Sequence, residues 1–170
     1  MEKNRALIQD LVSYIEKNLQ TSPQKEAQQM PGDHTAEYIK GEYTGRDARN
    51  LKDLIRDLGE TFHEMLFRKI SESGLPDAEV YKKANLDRKL FSKIRSNPAY
   101  HPRKKTVLAL AVALQLDLEE TEELLTKAGY ALSPGSEGDL IVRYFIEREV
   151  YDIDVINYAL YEFGQPTLGG

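Results

Sequence analysis

The sequence predicts an all-α protein, and three observations lead to this prediction. Apolar residues recur every three or four positions over long stretches, as on the buried side of an amphipathic helix. No stretch shows the alternation of apolar and polar residues that is typical of a half-buried β-strand. Glycine and proline separate the periodic stretches, and suitable capping residues stand at several of the predicted helix starts.

The N-terminal part, residues 1–59, is predicted to hold a helix, a polar linker and a helical extension. The helix runs from about Asn4 to Leu19, with leucine or isoleucine at every fourth position from Leu7. Residues 20–45 are polar and rich in proline and glycine, which favours a linker or loop. A long amphipathic helix is predicted to begin near Asp47, and Gly59 is the expected break between it and the next segment.

Residues 77–97 predict two short helices joined by a tight turn. Asn85 stands at the turn, where the backbone needs a positive φ that Asn tolerates best among non-glycine residues. Asp87 is the predicted N-cap of the second helix. The inner sides of the two helices carry the apolar residues Val80, Leu86, Phe91 and Ile94.

This segment resembles the Cro-like and lambda-repressor-like helix-turn-helix family, the xenobiotic-response-element type of bacterial regulator. The resemblance covers about residues 61–133, and the turn and second helix of the motif align without gaps with LDRKLFSKIRSN at 86–97. A basic loop with proline, a helix of the form expected in the family, and a helix ending at Gly129 follow. The resemblance implies a five-helix domain at 60–133 whose second motif helix, 86–96, enters the major groove of DNA.

The outward side of helix 86–96 would then read base edges, and neighbouring residues would hold phosphates. The residues expected nearest the bases are Arg88, Lys89, Ser92 and Lys93. The residues expected at phosphates are Lys82, Lys83, Arg95, Tyr100, Arg103, Lys104 and Lys105.

Two positions depart from the family pattern. The first motif helix normally opens with Gln, which binds a phosphate, and has Ala at its fifth position; this chain has Asp77 and Tyr81. A carboxylate repels phosphate, and tyrosine is bulky where two helices approach closely. These departures favour a second hypothesis, a non-enzymatic protein-interaction module that keeps the fold. Its basic surface would bind an acidic partner protein, such as a toxin or a phage or mobile-element factor.

Residues 134–170 predict a C-terminal tail of two helices, about Asp139 to Glu149 and Ile153 to Phe163, with Asp152 as N-cap of the second. Similar tails close small bacterial helix-turn-helix modules, and this resemblance implies that the tail packs on the five-helix domain. The apolar surface left on the tail and on the first helix predicts the interface of a homodimer.

The charge pattern agrees with a localised basic site. The net charge of the chain is −5, yet residues 82–105 hold nine basic residues and one acid, a local charge of +8. A basic stripe on an acidic protein is typical of a nucleic-acid site rather than of indiscriminate binding, although such a run also occurs on an ordinary solvated helix.

Several functional classes are disfavoured by the sequence. The chain has no cysteine and three histidines without metal-ligand spacing, so we expect no metal and no cofactor. We find no glycine-rich phosphate loop and no nucleophile and base of plausible spacing, and therefore expect no enzyme. No apolar run reaches membrane-spanning length, and the N-terminus lacks a signal-peptide core, which favours a cytoplasmic protein without membrane contact. The expected partners are double-stranded DNA, a second copy of the chain, or a partner protein.

Overall fold

The computed structural model describes residues 2–19 and 59–170, and within these ranges the chain forms α-helices and no β-strand. The predicted all-α class is therefore confirmed for the described residues. The helices are α1 (Glu2–Asn18), α2 (Phe62–Ser73), α3 (Asp77–Lys83), α4 (Arg88–Ser96), α5 (Lys104–Ala113), α6 (Leu118–Lys127), α7 (Glu137–Glu147) and α8 (Ile153–Glu162).

Helix α5 lies at the centre of the packing. Every residue from Thr106 to Ala113 is buried, because the helix beyond its two opening lysines is apolar on all sides apart from Thr106. It packs against α3, α6 and α8, while α2 packs against α6 and α7 packs against both α6 and α8. The core thus runs without interruption from the predicted five-helix segment into the C-terminal tail.

Helix α1 packs against α7 of the tail. Leu11 and Ile15 of its predicted apolar stripe are buried there. Polar contacts frame this apolar seam: the hydroxyl of Tyr14 donates to Glu147 at 2.8 Å, and the hydroxyl of Tyr144 donates to Asp10 at 2.5 Å. Burial, followed by these hydrogen bonds to carboxylates, raises the pKa of both tyrosines to about 12.

Local sequence signals set most of the helix ends. Asp152 caps α8 as predicted, accepting from the amides of Asp154 and Val155. Helix α7 begins at Glu137, before the predicted Asp139, because the Ser136 side chain caps it. Gly129 follows α6 with a φ of +75°, as expected of a helix C-terminus.

The predicted linker at 20–45 and the helical stretch from Asp47 to Leu58 lie outside the described residues. The break at Gly59 agrees with its φ of +69° and with the start of α2 at Phe62. None of the helices in the two described ranges combines the length and the apolar character needed to cross a membrane.

Candidate functional site

The turn between α3 and α4 is fixed by backbone hydrogen bonds around Asn85. Its φ is +50°, the left-handed conformation predicted from the sequence. The amide of Leu86 donates to the Tyr81 carbonyl at 2.8 Å, and the amide of Asn85 donates to the Lys82 carbonyl at 3.0 Å. These two bonds form the Schellman pattern of a helix C-terminus, so α3 ends sharply and the chain turns directly into α4.

Helix α4 begins at a side-chain cap and divides cleanly into two sides. The Asp87 carboxylate accepts from the Lys89 amide at 2.6 Å, which confirms Asp87 as N-cap. Phe91 and Ile94 are 3% and 1% exposed and face the core. The opposite side is exposed and carries the four residues expected nearest the bases, Arg88, Lys89, Ser92 and Lys93.

One edge of this exposed side is closed by an ion pair. The guanidinium of Arg95 donates to both carboxylate oxygens of Asp77, at the start of α3, and lies over the Phe67 ring at 4.5 Å. His63 Nε2 lies 3.1 Å from the Arg95 carbonyl oxygen. Asp77 and Arg95 therefore compensate each other's charge within the fold.

The other edge of α4 is lined by the loop that follows it. The Lys93 ammonium lies 4.4 Å from the centroid of the Tyr100 ring, a cation–π contact. Tyr100 is half-buried, so it limits the directions in which the Lys93 side chain extends. An aromatic ring attracts a cation but, unlike a carboxylate, adds no compensating negative charge.

The three basic residues at the start of α5 have different surroundings. Arg103 is exposed and forms no ion pair within the described ranges. Lys104 Nζ donates to Asp139 of α7 at 2.5 Å, and the buried Asp139 also accepts from the Ser133 amide at 2.8 Å. Lys105 Nζ lies 3.4 Å from the carbonyl oxygen of Gly170. Lys104 thus contributes to holding the tail on α5.

Lys82 and Lys83 line a separate groove of about 740 Å³ to which α4 contributes no wall residue. Three carboxylates from the loop after α7 and the start of α8 line the same groove: Glu149, Asp152 and Asp154. Lys83 is also 3.6 Å from Glu79. These two lysines lie next to α4 in the sequence, but the fold places them beside acidic groups.

The structure brings together a smaller basic surface than the sequence stripe suggested. We call it the α4 face: the exposed side of α4 with Arg88, Lys89, Ser92 and Lys93. None of its three cations has a carboxylate partner among the described residues. Tyr81 borders the buried side of α4, with its ring centroid 5.8 Å from that of Phe91, so the bulky residue is accommodated within the packing.

The sequence did not predict that two glycines far along the chain contact the start of α4. Gly169 and Gly170 lie against Asn85, Asp87 and Leu90. The pair of consecutive glycines was the available signal in the sequence, but nothing in its spacing indicates which turn it contacts.

No trio of histidine, aspartate or glutamate residues is arranged to hold a metal ion in the part of the chain that the structure describes. Comparisons with protein-family models, with curated proteins and with solved structures give no match to this chain.

Proposed function

We propose that the protein is a DNA-binding transcriptional regulator and that α2 to α6 form its helix-turn-helix domain, of the Cro-like and lambda-repressor-like kind. The proposal rests on one observation. A short helix with one side fixed in the core presents three uncompensated cations and a serine on its other side. That arrangement suits a helix that enters the major groove, where its outer side chains meet base edges.

The α4 face presents two pairs of side chains, one helical turn apart. Arg88 and Lys89 lie in the first turn, and Ser92 and Lys93 lie one turn further along, about 6 Å away along the helix axis. Arg88 or Lys89 would offer two hydrogen bonds to the O6 and N7 atoms of a guanine. Ser92 and Lys93 would contact the neighbouring base pair or its phosphate.

The phosphate contacts are proposed for the cations that no aspartate or glutamate side chain holds. Arg103 and Lys105 at the start of α5 are the best placed for this role: Arg103 forms no ion pair within the described ranges, and the contact of Lys105 is to the Gly170 oxygen at 3.4 Å. Arg95 and Lys104 have carboxylate partners in Asp77 and Asp139, so each would have to give up an ion pair to bind a phosphate. Lys82 and Lys83 would stay with the acidic groove.

A second candidate function is supported by the contact between Arg95 and Asp77. This ion pair occupies the start of α3, where the resembling family binds a phosphate through Gln. If the start of α3 therefore makes no phosphate contact, the α4 face is still suited to binding an acidic protein surface. The protein would then be a non-enzymatic interaction module that has kept the fold.

A titration with labelled random-sequence duplex DNA at two salt concentrations separates the two functions. On a random duplex we expect about four phosphate contacts, made by the cations of the α4 face together with Arg103 and Lys105. Raising the salt from about 50 to about 200 mM should then weaken binding roughly a hundredfold, because the contacts release counterions condensed on the DNA. If the protein does not bind the duplex at the lower salt concentration, the result contradicts a DNA-binding regulator and favours the interaction module.

A further inference from the structure

Residues 165–170 leave α8 and cross α5 to reach the turn between α3 and α4; we call this segment the strap. Asn157 of α8 holds it first: its side-chain oxygen accepts from the Leu168 amide at 2.7 Å, and its side-chain nitrogen donates to the Leu168 carbonyl at 3.2 Å. Thr106 of α5 holds it next, donating to the Gly169 carbonyl at 3.4 Å. Leu168 is 5% exposed, so the strap is packed as well as hydrogen-bonded.

The strap meets the turn through glycine backbone. Gly169 has a φ of +118°, and a Cβ at this position would lie 2.7 Å from the Asn85 carbonyl oxygen. Backbone atoms cannot move aside as a flexible side chain does, so only glycine fits there. The Gly170 amide also points to the Asn85 carbonyl oxygen, at 3.3 Å. That oxygen belongs to the left-handed turn residue and lies outside the ladder of α3.

The strap also reaches the first turn of α4. A Cβ built on Gly170 would lie 3.4 Å from Leu90 and 3.6 Å from the backbone nitrogen of Asp87. Leu90 lies on the flank of α4 next to Lys93, so the strap borders the α4 face and leaves it uncovered. The contacts therefore join α8, α5, the turn and α4 in one continuous path.

We infer that the strap is a positioning element for α4. Helix α4 has nine residues, and a helix this short depends on tertiary contacts in addition to its Asp87 cap. The strap fixes the turn and the first helical turn, which carry Arg88 and Lys89, and Asn157, Thr106 and Gly169 act through it. Its consequence for DNA rests on the proposed function; its effect on the order of the turn does not.

Hydrogen exchange of the whole protein tests the positioning role without DNA. Gly169→Ala places a Cβ against the turn, and Asn157→Ala removes both bonds to Leu168. Each should speed exchange of the amides of 85–91 by about tenfold or more, with α6 unchanged, since loss of local contacts opens a local unit. Gly164→Ala is the matched control, because that glycine also has a positive φ, +64°, but has no atom within 4 Å of its missing Cβ. Equal exchange at 85–91 in all three variants and the unaltered protein overturns the inference.

Binding of two duplexes then tests the consequence. One duplex is selected from a randomised pool with the unaltered protein, and the other is random. Asn157→Ala and Gly169→Ala should weaken binding to the selected duplex about tenfold, the equivalent of one good base contact, and leave the salt dependence on random duplex unchanged. Equal loss on both duplexes, or no loss on either, overturns the link to DNA reading. Absence of DNA binding by the unaltered protein contradicts the proposed function, and hydrogen exchange still decides the strap.

Discussion

Asn85 and Asp87 determine how the chain enters α4. The first takes the left-handed conformation that ends α3, and the second caps the first turn of α4. Both act on backbone groups within a few residues of themselves, so their roles follow from local chemistry. Arg88 and Lys89 come directly after the cap, and their placement depends on it.

Replacing Asp87 tests the cap. Asp87→Ala should lower the free energy of unfolding by about 1 kcal/mol, because the amide of Lys89 loses its acceptor. Asp87→Ser keeps a capping oxygen and should restore most of that loss in urea unfolding. The serine variant should also bind random duplex DNA more tightly than the unaltered protein, since one negative charge beside the phosphates is gone. Equal stability of the alanine and serine variants would show that the cap does not matter.

Arg103 and Lys104 are neighbours with different expected roles. Arg103→Ala should weaken binding to all duplexes and reduce the salt dependence of the affinity. The reason is that a cation without an ion pair in the protein can bind a phosphate and release a counterion from the DNA. Lys104→Ala should instead lower the free energy of unfolding by about 2 kcal/mol, since it leaves the buried Asp139 without its cation. Urea unfolding and duplex titration of both variants provide the comparison. The reverse pattern would return Lys104 to the phosphate contacts.

At the scale of residues, the sequence predicts what depends on near neighbours. The positive φ of Asn85 and the caps at Asp87 and Asp152 were predictable and are confirmed. The partners of Lys104 and Arg95 were not, because Asp139 and Asp77 lie 35 and 18 residues away along the chain. Only tertiary packing brings those charges together.

At the scale of elements, α1 is joined to α7 by an apolar seam with charged and phenolic groups at its rim. Burial would raise the pKa of Glu147, but hydrogen bonds from Arg143 and Tyr14 outweigh it, and the pKa lies below its usual range. Arg148 stacks over the Tyr144 ring at 3.7 Å. Helix periodicity predicted the buried stripe of α1, whereas the identity of the helix that covers it depends on the assembled fold.

This seam should weaken in alkali. Tyr14 and Tyr144 have a folded-state pKa of about 12, above the ordinary value of 10, so their contribution is fully present below pH 10. It should be lost as the pH rises from 10 to about 12, by up to roughly 2 kcal/mol for each tyrosine. The double variant Tyr14→Phe with Tyr144→Phe should show a smaller decline in urea unfolding over this range. Parallel declines in the two proteins would contradict the assignment.

At the scale of the whole molecule, the fold redistributes a basic stripe that is continuous in the sequence. Lys82 and Lys83 join an acidic groove, Lys104 binds the tail, and Arg88, Lys89 and Lys93 remain on the α4 face. The tail itself is acidic, with two basic and seven acidic residues over 134–170. Counting charges along the sequence identified the stripe but could not predict which of its residues lie on the α4 face. That assignment depends on which side of each helix is buried.

The oligomeric state is a further prediction at this scale. Leu11 and Ile15 of α1 are buried, whereas Tyr158 and Tyr161 of α8 are exposed aromatics at 40% and 72%. Paired half-sites call for a two-fold dimer, and exposed tyrosines are frequent interface anchors. Light scattering at tens of micromolar should show a dimer, and the double variant Tyr158→Ser with Tyr161→Ser should be a monomer with unchanged helix content. A monomeric unaltered protein, with and without DNA, would contradict this.

Whether the α4 face reads DNA is decided by the affinity of the variants Arg88→Ala and Lys89→Ala for a selected duplex. Replacing the residue that makes a bidentate contact to a guanine should weaken the binding free energy for that duplex by roughly 1–3 kcal/mol. Discrimination between bases at that position should also be lost. Lys17→Ala, which removes an exposed charge from α1, is the matched control and should leave the affinity unchanged. If both α4 variants bind the selected duplex as tightly as the control does, the α4 face does not read DNA.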